Sequence, residues 1–188
     1  MTRRVAILIE GDFFEKEIFY YEQRFAEAGV EAHFVSRLWG QESLTFLGHE
    51  YRAPLNCTRS FEGWSDEDLA SYDALIVPSG MVADRLRYTD DVAGIPPASA
   101  LLERAFALPL LKGIICHGLW LAAPVRHVVA ARRMTCHNNL LGDAAAYGVD
   151  YVDEDVVVDG DLISARTGGH AYLLASAILA AIDERNPR

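Results

Sequence analysis

The clearest candidate for covalent chemistry is a cysteine that directly follows an apolar segment. Residues 110–115 have the composition of a buried strand, and Cys116, His117 and Gly118 come immediately after them. A cysteine in this position lies at the N-terminus of the next helix, whose unpaired N–H groups and dipole stabilise a thiolate. The same N–H groups can stabilise the oxyanion that forms when the sulfur attacks a carbonyl carbon. We therefore expect a reactive Cys116 on a sharp strand-to-helix turn, relieved by the small Gly118.

Packing is the alternative explanation for Cys116, because free cysteines are often buried as small hydrophobic residues. Position 114 is isoleucine where a hydrolase elbow has glycine, so the general elbow motif is matched only in part. For Cys57, in an irregular segment, and Cys136, at the end of a weak strand, packing is the leading interpretation. Three widely spaced cysteines do not suggest a disulfide framework.

The segments that must position Cys116 alternate between strand-like and helix-like patterns. Apolar runs predict parallel strands at residues 5–9, 32–35, 73–77 and 110–115, with a short strand at 134–135. A hairpin is predicted at 156–163, where Asp159-Gly160 suits a tight turn. This pattern predicts an α/β fold, a flavodoxin-like three-layer sandwich with a mostly parallel sheet and an added β-hairpin, in one domain over residues 1–188.

Helical patterns lie between these strands. Asp12, followed by Glu15, indicates a capping box that opens a helix ending at Gly29. Further helices are predicted to start at residue 65, to pass through 101–106, to run from 116 to about 129, and to occupy 140–147 and 169–182. Residues 38–63 lack clean periodicity and are predicted to be a surface excursion with some β structure.

The bulk composition narrows the classes of function. A length of 188 residues suits one domain, and 51% hydrophobic residues suffice for a core. The formal net charge of −10 argues against non-specific nucleic-acid binding, which needs Lys and Arg to meet phosphates. The apolar run at 5–9 is too short for a signal-peptide core or a membrane span. We expect a cytoplasmic protein that binds neither nucleic acid nor membrane.

Four sequence runs carry a resemblance to a known family. The run G-I-I-C-H-G at 113–118 resembles the A-x-I-C-H-G signature of the ThiJ/PfpI superfamily, whose fold is like that of class I glutamine amidotransferases. Residues 12–17 look like its D-G-F-E-D-V-E segment. Residues 147–160 resemble its A-G-x-x-W-V-D-x-x-V-V-V-D-G run, and residues 164–167 match its S-x-R-x. The resemblance spans nearly the whole chain.

The resemblance implies a nucleophile and an acidic partner for it. Cys116 falls on the family's nucleophile, and Glu17 falls on the carboxylate that contacts the nucleophilic sulfur. A carboxyl group in an apolar site has a raised pKa and can relay a proton, so Glu17 is expected to be protonated there. Taken without the resemblance, Glu17 would be an ordinary exposed helix residue. Glu15 keeps its predicted capping role.

Histidines and a second acid complete the site that the resemblance implies. His117 matches the family's histidine after the nucleophile, and Asp84 falls on an acid that reaches in from a neighbouring subunit in some members. Gly80 and His117 would supply the oxyanion-hole amides. His137 and His170 are further acid/base candidates, because histidine titrates near physiological pH. A capping role for Asp84, and structural or exposed positions for His137 and His170, are the alternatives.

Two residues depart from the family pattern. Ser79 replaces the first glycine of the family's G-G pair, and Phe14 replaces a glutamate near the pocket. Phe14 therefore makes the pocket more apolar. The aromatic residues Phe13, Trp39 and Trp120 could add to it, although core packing is the leading interpretation of each. The excursions at 38–63 and 88–97 could reshape the pocket or an oligomer interface.

Two classes of function follow from these residues. The first is a cofactor-independent, Cys-dependent hydrolase or lyase acting on a small electrophile. The reactions that the resemblance implies are glyoxalase III-type hydration of 2-oxoaldehydes, deglycase-like repair, amide hydrolysis, isonitrile hydration and a specialised biosynthetic step. The second is a redox-responsive or chaperone-like dimer in which Cys116 is oxidised to a sulfinate. A metal site using Cys116 with His117 or His137 lacks a recognised ligand spacing. We expect a small-molecule substrate, no cofactor, no metal, and a homodimer or higher homo-oligomer.

Overall fold

Six strands form one sheet in the part of the chain that the computed structural model describes, residues 2–185. In spatial order they are β2 (Val30–Val35), β1 (Arg3–Leu8), β5 (Ala74–Val77), β6 (Leu111–Ile115), β10 (Leu162–Ala165) and β9 (Val156–Asp159). Neighbouring strands are parallel except for β9, which pairs antiparallel with β10. The predicted flavodoxin-like fold, with a mostly parallel sheet and an added hairpin, is confirmed.

The α-helices cover the two faces of this sheet. They are α1 (Glu15–Glu27), α2 (Asp66–Ala70), α3 (Val82–Leu86), α4 (Pro97–Ala107), α5 (Leu141–Ala146) and α6 (Ala171–Arg185). Helix α6 packs on α1, β6 and β10, whereas α4 packs on α2, α3 and the helical segment that follows β6. Every residue of β5 and β6 is buried, which is why these strands are apolar in sequence apart from Lys112 in β6.

One charged residue interrupts the apolar composition of β6. Lys112 is fully buried, and its ammonium group pairs with Asp161 in the turn between β9 and β10. The guanidinium of Arg132 holds the same turn through Asp159, at 2.6 Å, and Asp161, at 2.8 Å. The Lys112 pair attaches the hairpin to the amino-terminal end of β6, because a buried charge must be paired, and the Arg132 pairs attach it to the residue before the short strand Arg133–Met134.

The predicted capping box at the start of α1 is wrong. Phe14 is the N-cap residue, and no side chain caps the helix. Glu15 is instead buried, and its carboxylate accepts hydrogen bonds from three main-chain N–H groups between residues 50 and 53, at 2.5–3.0 Å. Asp12 pairs with Arg52 and Arg85. Both carboxylates therefore join the start of α1 to other segments instead of capping it.

The irregular segment at 38–63 contains the expected β structure. Strands β3 (Leu44–Leu47) and β4 (Pro54–Cys57) form an antiparallel hairpin. The hairpin contacts the loop between β1 and α1, because the Asp12 N–H donates to the Leu47 carbonyl at 2.8 Å and the His49 N–H donates to the Phe13 carbonyl at 2.9 Å. The excursion thus supports the loop that leads to Phe14 and Glu17.

The chain after Cys116 is less regular than predicted. Residues Cys116–Val128 form a 3-10 helix with a break at Val125, next to Pro124, where φ is −126° and ψ is 34°. Proline inside a helix removes an N–H donor and crowds the preceding turn, which accounts for the break. Short strands β7 (Arg133–Met134) and β8 (Asp150–Tyr151) pair beyond it. A 3-10 turn at Gly168–His170 precedes α6, and α3 was not predicted.

Among residues 2–185, no helix is both long enough and hydrophobic enough to cross a membrane.

Candidate active site

Cys116 lies on a strained turn at the carboxyl end of β6. Its φ is +57°, in the left-handed region that residues other than glycine rarely adopt, and its side chain is 8% exposed. A Cβ atom on Gly118 would lie 2.6 Å from the Val77 carbonyl oxygen, so only glycine allows this close approach to β5. The predicted strand-to-helix elbow is therefore present in the structure.

Three main-chain N–H groups lie near the Cys116 sulfur and lower the pKa of its thiol, those of Gly168, His117 and Gly80. Gly80 has a φ of +77°, and a Cβ on it would lie 2.8 Å from the Asp12 carbonyl oxygen. Glycine at this position therefore lets the loop after β5 approach the loop after β1. N–H groups arranged in this way can stabilise negative charge on a sulfur or on an oxyanion beside it.

The Cys116 thiol is nevertheless expected to be protonated at neutral pH. Its pKa is raised to about 11: burial raises it most, the nearby charge of Glu17 adds to the increase, and the three N–H groups oppose it only in part. This differs from the expectation that the helix N-terminus would hold a resting thiolate. The cost of removing the charged form from water exceeds the stabilisation that the amides provide.

The imidazole of His117 lies next to the nucleophile. The distance between Cys116 Sγ and His117 Nδ1 is 3.2 Å. Burial and the neighbouring His137 lower the pKa of His117, which keeps its ring neutral and able to accept a proton. The ring also packs edge-on against Trp120, with centroids 4.9 Å apart. This geometry lets His117 serve as a base toward the thiol.

The carboxyl group of Glu17 is buried at the same edge of the sheet. Glu17 is 1% exposed and accepts a hydrogen bond from the Ser79 N–H at 3.1 Å and one from the Ser79 hydroxyl. Burial raises its pKa to about 7, although the bonds from Ser79 oppose this shift. The Tyr21 hydroxyl interacts with the same carboxyl, but among the described residues no partner meets full hydrogen-bond geometry with that hydroxyl.

The next segment brings His137 and Cys136 near the elbow. The rings of His117 and His137 are 4.7 Å apart between centroids, and His137 Nδ1 accepts a hydrogen bond from the Asn139 N–H at 3.1 Å. Cys136 is buried, which raises its pKa to about 11, and the charge of Cys116 adds to this shift. His137 is thus next to His117, whereas Cys136 is a packed thiol of the surrounding core.

The two other predicted polar residues have different partners. Asp84, on α3, forms an ion pair with Arg87 at 2.8 Å within the same chain. The Arg87 guanidinium lies 5.6 Å from the Trp120 ring, so this pair adjoins the aromatic residue against which His117 packs. His170 contacts the Thr167 hydroxyl through Nδ1 at 3.1 Å, and its Nε2 lies 3.7 Å from an Asp155 oxygen.

The aromatic residues that the sequence suggested for the pocket differ in burial and in their contacts. Phe14 is half-buried, and its ring fills the space where a side chain on Gly168 would lie. Phe13 is fully buried in the core. Trp39 is 44% exposed, and its ring contacts are with Arg37 and with Tyr88 on the second excursion. Phe14 and Trp120 are therefore the aromatic residues placed at the site.

Sequence reasoning missed two contributors to the site. The Gly168 N–H reaches the Cys116 sulfur, and the Tyr21 hydroxyl lies near the Glu17 carboxyl. Tyr21 is four residues after Glu17 on α1, a spacing that places both on one face of the helix, so this pair could have been found. The Gly168-Gly169 pair before the last helix was the only signal for the amide. Among the described residues, no cluster of three or more His, Cys, Asp or Glu side chains is arranged to hold a metal ion.

The fold and the site together define a class of protein. A buried cysteine on a left-handed elbow, beside a histidine and a buried carboxyl group at the carboxyl edge of a parallel sheet, is the arrangement of α/β proteins built around a nucleophile elbow. The sequence model of the DJ-1/PfpI family matches residues 3–181, and the chain belongs to that family.

Three relatives share most of their length with this chain. A deglycase of Pyrococcus abyssi is 28% identical over 169 residues, which cover 90% of this chain and 93% of the relative. An uncharacterised protein of Archaeoglobus fulgidus is 30% identical over 163 residues, covering 87% and 88% of the two chains. A protein/nucleic acid deglycase of Escherichia coli is 28% identical over 177 residues, covering 89% and 90%.

Solved structures show the same fold at lower sequence identity. A protein of Anabaena variabilis with DJ-1/ThiJ/PfpI-like and ferritin-like domains superposes with a TM-score of 0.82 at 23% identity; the match covers 99% of this chain and 52%, about half, of that two-domain chain. The DJ-1 protein of Schizosaccharomyces pombe superposes with a TM-score of 0.76 at 20% identity, covering 98% and 99% of the two chains.

Proposed function

We propose that this protein is a cofactor-independent enzyme that uses Cys116 to hydrolyse or hydrate a small electrophilic carbonyl compound, with a deglycase-type reaction as the first candidate. The geometry at the elbow carries the proposal: the sulfur lies 3.2 Å from an imidazole nitrogen, and three main-chain N–H groups nearby lower the pKa of the thiol. The names of the archaeal and bacterial relatives, several of them deglycases, support the same chemistry.

The first step joins the sulfur to the carbonyl carbon. As the bond between sulfur and carbon forms, the thiol proton passes to His117 Nδ1 and the electron pair of the carbonyl double bond moves to its oxygen. A thiol with a pKa of about 11 provides very little thiolate at neutral pH, so the nucleophile must form by this transfer. The lowered pKa of His117 keeps the ring neutral and ready to accept the proton.

The remaining groups act on the charge and the protons of the adduct. The N–H groups of Gly80 and His117 would stabilise the oxyanion, as hydrogen-bond donors aimed at developing charge do. Glu17, with a pKa of about 7, can both give and take a proton near neutral pH. In the adduct of a 2-oxoaldehyde, Glu17 would move the proton of the attacked carbon to the neighbouring carbonyl carbon, which converts the hemithioacetal to a thioester. Water then adds to the thioester carbon, the carbon–sulfur bond breaks, the 2-hydroxy acid leaves and the sulfur recovers its proton. With a glycated amine, the carbon–nitrogen bond also breaks and the amine leaves with a proton.

Turnover of methylglyoxal tests the role of the nucleophile. We expect Cys116→Ser to lower kcat/KM at least about 100-fold, because a serine hydroxyl lacks the nucleophilicity of sulfur. One catalytic group typically contributes a factor of about 10²–10⁴ to the rate. Cys57→Ser is the matched control, since Cys57 is a buried thiol on the hairpin β3–β4. Equal turnover by wild type and Cys116→Ser would rule out the thiol mechanism for this substrate.

A second assay separates deglycase activity from consumption of free aldehyde. The adduct of methylglyoxal with N-acetylarginine also dissociates without enzyme, so an enzyme that only removes free methylglyoxal cannot release the amine faster than this dissociation. We expect release to exceed the spontaneous rate and to increase with enzyme concentration. Release that stays at the spontaneous rate would replace the deglycase assignment by hydration of the free 2-oxoaldehyde.

A redox-responsive role is the second candidate, and one observation favours it. The three N–H groups that converge on the Cys116 sulfur would also stabilise a sulfinate, which is negatively charged. Mass spectrometry after peroxide treatment would detect the addition of two oxygen atoms at Cys116. This role would gain priority if oxidation were selective for Cys116 while neither carbonyl substrate were turned over.

The other assignments stay predictions. His137 and His170 are proposed as acid/base groups around the substrate, and a small-molecule substrate with no cofactor is proposed on the basis of the family resemblance. Self-association into a homodimer or higher homo-oligomer is also proposed. In that assembly Asp84 would act across the interface, which requires it to give up or share its pairing with Arg87.

A further inference from the structure

Ser79 holds the carboxyl group of Glu17 with two donors. Ser79 follows β5 and is 2% exposed. Its main-chain N–H lies 3.1 Å from Glu17 Oε2 and 3.4 Å from Oε1, and its hydroxyl also donates to Oε2. The two residues are 62 positions apart in the chain, so the contact joins the loop after β5 to helix α1. A glycine in this position would leave only the main-chain donor.

The Ser79 hydroxyl occupies a confined space next to the nucleophile. A Cβ on Gly168 would lie 2.7 Å from Ser79 Oγ and would also overlap the Phe14 ring. Gly168 is the residue whose N–H reaches the Cys116 sulfur. The hydroxyl therefore lies between the buried carboxyl of Glu17 and the backbone segment that binds the sulfur, and packing on each side limits the rotamers open to it.

Few other groups can set the protonation of Glu17. Tyr21, on the same helix, lies near the carboxyl, and Cys116, on the elbow, interacts with its charge. The thiol and the phenol are neutral at pH 7, because burial raises the pKa of each. The donors of Ser79 thus provide the main stabilisation of the charged carboxylate against the cost of burial.

We propose that Ser79 is a positioning residue that acts through Glu17: its hydroxyl fixes the orientation of the carboxyl group and helps decide whether that group carries a proton beside Cys116. The proposal deepens the enzyme assignment and rests on it for its catalytic meaning. It assigns a role to a residue at which this chain departs from the family's glycine pair.

Titration of Glu17 by ¹³C NMR tests the proposal directly. In full-length protein labelled at the glutamate carboxyl carbon, the Glu17 signal is identified by its absence in Glu17→Gln. We expect Ser79→Ala to raise the pKa of Glu17 by about one unit, the effect expected for loss of one hydrogen bond to a charged group. An unchanged pKa would overturn the proposal. If Ser79→Ala does not fold, Ser79→Gly removes the same hydroxyl and keeps the N–H.

The effect on the nucleophile is measured by alkylation of Cys116 with iodoacetamide, followed by peptide mass spectrometry at pH 7.5. Ser79→Ala should increase the rate severalfold, because a protonated Glu17 no longer disfavours the thiolate. The increase should disappear when both proteins also carry Glu17→Gln. An equal increase in that background would show that Ser79 acts on Cys116 directly, against the proposal. Neither measurement needs a substrate, so a failed turnover assay would not be confused with a failure here.

Discussion

At the scale of single residues, the elbow places a thiol with a raised pKa, Cys116, next to a neutral imidazole, His117. Burial holds the pKa of Cys116 at about 11, whereas His117 is neutral and 3.2 Å away. A cysteine with these properties is slow toward reagents that cannot use the histidine. In the proposed mechanism it reacts quickly only with a substrate whose geometry couples attack to proton transfer, which would protect the thiol from unselective reactions.

Two pH profiles of the same thiol should therefore diverge. Alkylation of Cys116 by iodoacetamide should keep rising up to about pH 11, because it follows the thiolate. Turnover should rise only as His117 loses its proton, below the ordinary histidine value of 6.5, and then level off. In His117→Ala we expect turnover at pH 7 to fall by about 10²–10⁴ and then to follow the thiolate. Coincident profiles in the wild type would show that turnover follows the thiolate and does not use His117 as the base.

At the scale of elements, the strands could be predicted and the polar contacts of α1 with distant segments could not. Buried parallel strands have apolar sequences, so β1, β5 and β6 were located from composition alone. A helix cap is also predicted from neighbouring residues, and that prediction failed at α1 because the Glu15 carboxylate accepts hydrogen bonds from the distant loop at 50–53. The position of Cys116 could be inferred from its motif. The contact between Glu17 and Ser79 could not, because it joins segments 62 residues apart.

The stability of the hairpin β3–β4 should depend on the Glu15 carboxylate. Glu15→Ala leaves three N–H groups of the loop at 50–53 without their acceptor, and we expect a loss of about 2–4 kcal/mol in the free energy of unfolding. Urea denaturation measures this loss, and hydrogen exchange should show faster exchange in that loop. Glu22→Gln, an exposed position on the same helix, is the control. Equal stability of the two variants would mean that the carboxylate does not hold the hairpin.

At the scale of the whole molecule, buried Glu17 and the paired carboxylates elsewhere in the fold change the free energy of unfolding with pH in opposite directions. Hydrogen bonds and ion pairs outweigh burial at Asp161 and Glu15 and lower the pKa of each, so their stabilisation is lost as the pH falls through those lowered values. Glu17 behaves in the opposite way, because burial raises its pKa from 4.5 to about 7. The folded protein therefore retains a proton on Glu17 at pH values where the unfolded chain has lost it.

This difference predicts how stability should change with pH. Between pH 4.5 and about 7, the contribution of Glu17 to the free energy of unfolding should fall as the pH rises, by about 1.4 kcal/mol per unit and on the order of 3 kcal/mol in total, and should stay level above that range. Glu17→Gln carries no ionisable proton, so its stability relative to the wild type should increase across this window. Urea denaturation of both proteins from pH 4.5 to 8 measures the difference. A difference that does not vary with pH would show that Glu17 is already ionised in the folded protein, and Glu17 could not then supply a proton to the adduct at Cys116.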